Sequence, residues 1–94
     1  MTVSTENNKL TLLFLTASGE NDNITCDSVH LIMRDGAIGN EGGSIGIRKG
    51  HVKSVIALQD GLVRAYNDGN EIFSKHAKNA IAYVENDTVT VLGD

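Results

Sequence analysis

Short apolar runs separated by turn-forming residues recur along nearly the whole chain, and this spacing limits what the chain can fold into. The runs are rich in Leu, Val and Ile, and clusters of Asn, Asp and Gly lie between them. No run shows a convincing amphipathic helix pattern, so close spacing of short strands predicts an all-β sandwich or barrel. The predicted strands are Leu10–Thr16, Asp27–Met33, Ser44–Arg48, Val52–Leu58, Leu62–Tyr66, Glu71–Ser74, Ala80–Val84 and Thr88–Leu92.

Polar segments between these strands are predicted turns and loops. Asn21–Asn23 is a predicted turn, and the glycine-rich Arg34–Gly43 is a predicted loop. Asn67–Asn70 is the clearest hairpin signal, because Gly and Asn tolerate the positive φ that tight hairpins need. Glu85–Asp87 is expected to join the last two strands.

A chain of 94 residues fits one domain with one modest core, so residues 1–94 are predicted to form a single small domain. The polar segment 1–8 is predicted to be a flexible N-terminus. The residues expected to be mostly buried are Ile45, Ile47, Val55, Leu58, Val63, Val89 and Val91.

Charge and composition exclude several classes of partner. The net charge is −4, which argues against nucleic-acid or anionic-membrane binding. The longest apolar run, Leu12–Leu15, is too short to span a bilayer. Cys26 is the only cysteine and can form no internal disulfide, so a reducing, cytoplasmic environment is expected.

The residue types that bind metals or act in catalysis do not occur here at the spacings that those roles require. His30, His51 and His76 do not occur at metal-ligand spacings, and His30 is expected on a polar face. Cys26 lacks an evident basic partner and is expected to be a small apolar filler at a strand start. Most aspartates fall at turns, where they bond the backbone. We therefore predict no catalytic residue and no metal site.

Glycines between Gly36 and Gly50 could suggest phosphate binding. A phosphate loop, however, requires Gly-Lys-Ser/Thr at the start of a helix, and that context is missing here. The expectation is therefore turn and bulge glycines, with no nucleotide site and no cofactor.

Three motifs resemble a known family. Residues 43–51 (GSIGIRKGH) resemble the Gly-x-Leu-Gly-Ile-x-x-Gly-His signature of the F-type ATP synthase epsilon subunit. Residues 56–64 (IALQDGLVR) resemble its Ala-x-Leu-x-x-Gly-x-Val-Arg, and residues 89–94 (VTVLGD) its Val-Thr-Val-Leu-Ala-Asp. The motifs are in register, and the resemblance spans Leu10 to Asp94. It implies the two-sheet antiparallel β-sandwich of the epsilon N-terminal domain.

The chain departs from the family pattern at several loops. Lys49 and Val52 stand where the family often has proline, and Arg34–Gly42 is longer than the corresponding loop. Lys78-Asn79-Ala80 stands where the family has Ser-Gly-Gly. These departures concern loop shape and interface contacts more than the fold.

The resemblance implies a non-catalytic subunit of the central stalk. Such a subunit packs on gamma and on the c-ring, coupling ion translocation to ATP synthesis. It would be held peripherally at the cytoplasmic face of the cell membrane through its partners, with no direct membrane insertion. The residues that match the family's c-ring-facing loop are Gly42, Gly43, Ser44, Ile45 and Gly46. His51 matches the signature histidine that lies near the gamma interface in the family.

Each of these roles has a plainer alternative. Ser44 could be an exposed loop residue, Ile45 is expected in the core, and His51 could fix its own loop by hydrogen bonding.

Most bacterial members continue into C-terminal helices that can inhibit ATP hydrolysis, and some bind ATP there. The sequence ends at Asp94, just after the last predicted strand, so the resemblance covers the sandwich without those helices. Two explanations stay open: a naturally short member, or a protein from which the helices were removed. Either way we expect no ATP to be bound by this chain.

Two other functions remain open on the sequence alone. A free-standing β-sandwich binding module for a peptide or carbohydrate would be indifferent to gamma and would expose aromatic residues. A small hydrolase would bring together perturbed carboxylates or pair Cys26 with a histidine.

Overall fold

The computed structural model describes residues 8–34 and 43–94. Nine strands and no α-helix occur in these two ranges. They are β1 (Leu10–Thr16), β2 (Asn21–Cys26), β3 (Ser28–Met33), β4 (Gly43–Arg48), β5 (Ser54–Ala57), β6 (Gly61–Asn67), β7 (Asn70–Ala77), β8 (Ile81–Glu85) and β9 (Thr88–Gly93). The flexible N-terminus predicted for 1–8 and the predicted loop fall mostly outside the described residues, at 1–7 and 35–42.

The strands form two sheets, and this confirms the predicted two-sheet sandwich. One sheet has five strands in the order β2-β1-β9-β8-β5, and the other has four in the order β4-β3-β6-β7. Neighbouring strands pair antiparallel except β1 and β9, which are parallel, with Leu12 opposite Val89. The first and last strands of the described chain therefore lie side by side at the centre of the larger sheet.

The core lies between the sheets because each strand directs alternate side chains inward. On β1, Leu10, Leu12 and Phe14 are buried. The ring of Phe14 meets that of Phe73 on β7 edge to face, with centroids 5.7 Å apart. This contact joins the two sheets directly.

The expected core is confirmed at most positions and wrong at one. The confirmed positions are Ile47, Leu58, Val63, Val89 and Val91, and Ile45 is partly buried against the same cluster. Val55 was expected to be buried, but it is 65% exposed. It lies opposite Tyr83 in the β5–β8 pair, so both side chains point away from the core.

The polar segment after β1 is a strand, and the prediction of a turn at Asn21–Asn23 was wrong. The turn lies earlier, where Thr16 N–H donates to the Glu20 carbonyl at 3.1 Å. Every residue of β2 pairs with β1, so tertiary pairing overrides its weak strand propensity. Cys26 lies at the end of this strand rather than at a strand start, and it is buried as expected.

The strand directions give the sandwich two ends. The end at the start of β4, here called the Gly43 end, also carries the β7–β8 turn at Lys78–Asn79. The opposite end, here called the His51 end, carries the β4–β5 connection, the Asn67–Asn70 hairpin and the β8–β9 turn. The functional residues expected from the sequence divide between these ends.

Candidate functional site

The segment that matches the c-ring loop begins an edge strand. β4 lies at the edge of the four-stranded sheet and pairs with β3 along its whole length. Gly43 has a φ of +101° and is exposed, as are Ser44 and Gly46, while Ile45 is partly buried. Gly42 lies outside the described residues. The structure thus brings the four described members of the predicted loop together on one strand.

Gly46 provides space for a histidine on the neighbouring strand. His30 lies directly opposite it in the β3–β4 pair, and a Cβ at position 46 would lie 3.6 Å from His30 Nε2. On its other side, the His30 ring packs against Tyr66, with centroids 4.5 Å apart. His30 is exposed, as its alternation with Val29 and Leu31 predicted.

His51 lies in the connection that carries the chain from one sheet to the other. Its N–H donates to the Arg48 carbonyl at 3.1 Å, and its ring Nδ1 donates to the Val52 carbonyl at 2.9 Å. Gly50, with a φ of +86°, donates its N–H to Asp87 Oδ1 at 2.8 Å. The ring is half-buried, so His51 does fix its own loop while part of its surface remains accessible.

Gly43 and His51 belong to opposite ends of the sandwich. β4 has six residues, which at about 3.3 Å per residue places its ends roughly 17–20 Å apart. The two predicted interface positions therefore cannot form one compact site.

A charged cluster ties three segments together at the His51 end. Lys9 Nζ lies 2.8 Å from Asp27 Oδ1 and also donates to Asn67, while the Asp68 N–H donates to Asp27 Oδ2 at 2.6 Å. The Asp68 N–H, and then Lys9, lower the pKa of Asp27. The bond to Asp27 likewise raises the pKa of Lys9. Sequence reasoning missed this cluster, because its members are far apart along the chain.

The outer face of the five-stranded sheet carries an apolar surface that the sequence analysis also missed. Val55, Ile81, Tyr83 and Leu92 are between 40% and 65% exposed. Tyr83 lies between Val55 on β5 and Thr90 on β9, and Ile81 lies opposite Leu92. We call these four side chains the Tyr83 face. The alternation in β8 was its only local signal.

The other candidate groups are dispersed. Among residues 8–34 and 43–94, no three His, Cys, Asp or Glu side chains form a cluster that could hold a metal ion. His30 lies on β3, His51 lies at one end and His76 lies on β7. Cys26 is in the core, where burial raises the pKa of its thiol. Residues 8–34 and 43–94 contain no helix that is long and apolar enough to cross a membrane.

These features define a small two-sheet β-sandwich with accessible polar and apolar surfaces. The family model for the ATP synthase, Delta/Epsilon chain, beta-sandwich domain matches residues 9–94. The chain therefore belongs to this family of ATP synthase subunits, and the resemblance noted in its motifs is confirmed. No match was found among curated proteins.

Proposed function

We propose that this chain is a non-catalytic central-stalk subunit of a rotary F-type ATP synthase, coupling ion translocation to ATP synthesis. The observation that carries the proposal is the family match, which extends over residues 9–94. In this role the chain forms one domain, binds gamma and the c-ring, and stays at the cytoplasmic face of the membrane through those partners. A sandwich suits torque transmission because a close-packed core deforms little.

The c-ring contact is proposed for Gly42–Gly46, whose described members lie on β4. Support comes from the match of these residues to the family signature and from the exposure of Gly43, Ser44 and Gly46. Ile45 contributes mainly to packing, because it contacts the core cluster.

The gamma contact is proposed for His51 together with the Tyr83 face. Val55 lies on β5, which directly follows the connection that holds His51, so the two surfaces are continuous along the chain. Exposed apolar groups on a sheet face gain free energy when a partner covers them, about 25 cal/mol per Å² of apolar area. A stable specific interface buries about 1,200–2,000 Å² in total, more than His51 alone could supply.

Affinity capture with the cognate gamma subunit tests this proposal. We expect Val55→Asp to weaken capture strongly, because it places a charge in the apolar contact. Ile72→Asp is the matched control: Ile72 is also exposed, at 46%, but lies on β7 of the other sheet. In the same assay His51→Ala should weaken capture and His76→Ala should not.

Failure of the folded wild-type chain to capture gamma would contradict the stalk role and favour the free-standing binding module. Equal loss with Val55→Asp and Ile72→Asp would contradict only the assignment of the interface. The c-ring contact needs its own assay, in which Ser44→Glu is expected to lower coupling in reconstituted vesicles.

No ATP binding is proposed for this chain. The glycines of residues 43–50 lead into strands and a turn rather than the helix start that holds phosphate. Isothermal titration with Mg-ATP should therefore give no saturable heat. One-to-one binding at micromolar concentration, about −8 kcal/mol, would contradict this part of the proposal.

A further inference from the structure

The two lateral sides of the sandwich are built differently. On the side formed by β2 and β7, Lys75 Nζ lies 2.8 Å from Asp22 Oδ2 and 3.4 Å from Glu20 Oε1. Lys75 is opposite buried Val63, and Asp22 is opposite buried Phe14, so both charges lie on the inner side of their strands. Inward-directed charges hinder the addition of another strand, and this side is therefore protected.

The side formed by β4 and β5 has no equivalent protection among the described residues. β4 directs Ile45 and Ile47 inward and presents the small Ser44 and Gly46 outward. The inward residues Ile45 and Ile56 are apolar and partly buried. The chain also contains no proline, the residue that commonly prevents pairing at an edge. β4 is thus competent to pair.

The hydrogen bonds of β3 show which backbone groups of β4 are available. Arg34 N–H donates to the Ala57 carbonyl at 3.0 Å, and Gln59 N–H donates to the Ile32 carbonyl at 2.9 Å. Residues 32 and 34 therefore direct their backbone groups away from β4. Because backbone groups alternate along a strand, residues 29, 31 and 33 bond β4 through their partners at 47, 45 and 43.

Ser44 and Gly46 consequently direct their N–H and C=O groups toward the free edge. The described residues supply no hydrogen-bond partner for these groups. Gly46 also lacks a side chain that would obstruct an approaching backbone.

The outward residues of β4 are two small residues and one arginine. Arg48 is exposed and points outward at the end of β4. His30 leans over Gly46 and borders a depression of about 160 Å³, which Ile32, Ser44 and Leu62 also line. An acidic side chain directly across from Arg48 would form a favourable cross-strand pair.

We propose that the free edge of β4 binds an extended acidic segment of a partner protein as an added strand. Main-chain hydrogen bonds to Ser44 and Gly46 supply affinity, and a carboxylate opposite Arg48 supplies specificity. The side chain opposite Gly46 packs against the His30 ring. This inference goes beyond the proposed function, because it concerns how the edge recognises a segment, whichever protein supplies it.

The test uses a synthetic peptide as the probe. It has eight residues of alternating valine and glutamate, blocked ends, and N-methyl groups along one edge, so that only the other edge can pair and extended sheets cannot form. Titration into the ¹⁵N-labelled chain should shift the Ser44 and Gly46 amide signals and slow their hydrogen exchange. The same peptide methylated along both edges should not bind, since it has no free N–H to pair.

Two variants at one position isolate the backbone contribution. Gly46→Pro removes the free-edge N–H without breaking the ladder to β3, as proline is tolerated on edge strands. It should abolish binding. Gly46→Ala keeps the N–H, and its Cβ would make only an ordinary contact with His30, so it should still bind. The doubly methylated peptide keeps the test decisive even if the proline variant does not fold.

The acidic requirement is tested by charge exchange. Arg48→Glu should lower the affinity for the glutamate peptide by about twofold to fivefold, the range for exposed ion pairs. The same variant should bind a peptide with lysine in place of glutamate more tightly than it binds the glutamate peptide. Lys49→Glu, in the adjacent turn, should change affinity less.

Three results would overturn the inference. One is equal binding of the doubly methylated peptide, and another is a set of shifts confined to β7 or to the Tyr83 face. The third is a concentration-dependent shift of the β4 amides without peptide, which would make a second copy of this chain the occupant. Capture of gamma is measured in its own assay and is proposed to depend on His51 and the Tyr83 face rather than on β4, so failure of the peptide to bind β4 leaves that proposal standing.

Discussion

Asp27 is the residue that connects the most separate segments at the His51 end. It accepts hydrogen bonds from the Asp68 N–H and from Lys9, so its carboxylate links the corner between β2 and β3 to the hairpin and to the start of β1. Hydrogen bonds of this kind favour the charged form of a carboxyl group. This explains why the pKa of Asp27 is lowered.

We predict that Asp27→Asn destabilises the fold in a pH-dependent manner. The pKa of Asp27 is lowered from 3.8 in the folded state. Its stabilising contribution is therefore complete above the unfolded pKa and disappears as pH falls through the lower folded pKa. Thermal unfolding should show a lower Tm for the variant at pH 7, with the difference shrinking below about pH 4.

Asp68→Asn is the control for this prediction, because Asp68 contributes its backbone N–H, which the substitution keeps. A Tm difference between wild type and Asp27→Asn that stays constant down to pH 2 would contradict the assigned electrostatic role.

A second residue-scale prediction concerns close packing at Gly93. A Cβ there would lie 3.1 Å from the Lys78 carbonyl oxygen and 3.3 Å from Ala80 Cβ. Gly93→Ala should cost about 1–3 kcal/mol, the usual range for overpacking, as measured by urea unfolding. At Gly61 the nearest atom is the flexible Ile32 Cδ1, at 3.3 Å. Gly61→Ala should therefore cost less, and equal costs would contradict this explanation.

At the scale of elements, the hairpin between β6 and β7 depends on its two-residue turn. Asp68 has a φ of 52° and Gly69 a φ of 80°, the conformation of the hairpin turns that match strand twist. The β8–β9 turn uses Asn86 and Asp87 in the same way, with φ values of 53° and 56°.

Gly69→Ala should cost about 1–2 kcal/mol, the penalty for a side chain in the left-handed region, because no neighbouring atom lies within 4 Å to cause a clash. Urea unfolding gives the measurement. Gly46→Ala, at a position without positive φ, is the comparison. A cost at Gly69 no greater than at Gly46 would show that the turn tolerates a side chain.

At the scale of the whole molecule, the parallel β1–β9 pair joins the two antiparallel parts of the larger sheet, β2-β1 and β9-β8-β5. β9 lies between β1 and β8 and carries the buried Val89 and Val91. Pairing of Leu12 with Val89 requires a long loop to close, and such non-local contacts slow folding, typically to milliseconds or seconds.

We therefore predict that removing residues 88–94 prevents folding, since it leaves two strands of the sheet without their central partner. Loss of amide signal dispersion in a ¹H–¹⁵N spectrum is the measurement. Removal of residues 1–7, an equal number that precedes every described strand, is the control and should preserve dispersion. A dispersed spectrum from the chain without 88–94 would contradict a central role for β9.

Several features were accessible from the sequence because they depend on neighbouring residues. The short apolar run at residues 10–16 predicted β1, and Asn67–Asn70 predicted the β6–β7 hairpin, since residue composition and turn chemistry are local properties. The motif in residues 43–51 indicated the family. His30 was correctly expected on an exposed face, because it alternates with Val29 and Leu31.

Other features depended on contacts that no local pattern encodes. Polar Asn21–Asn23 is part of a strand because it pairs with β1. Val55 is exposed because its pairing with Tyr83 places its side chain on the outer face of the sheet. The Asp27 cluster and the protected and free edges likewise join residues distant in sequence. The sequence by itself determined where most strands and turns form and which family the chain belongs to. Only the tertiary structure decided which strands pair and which faces stay accessible, because both follow from packing between distant segments.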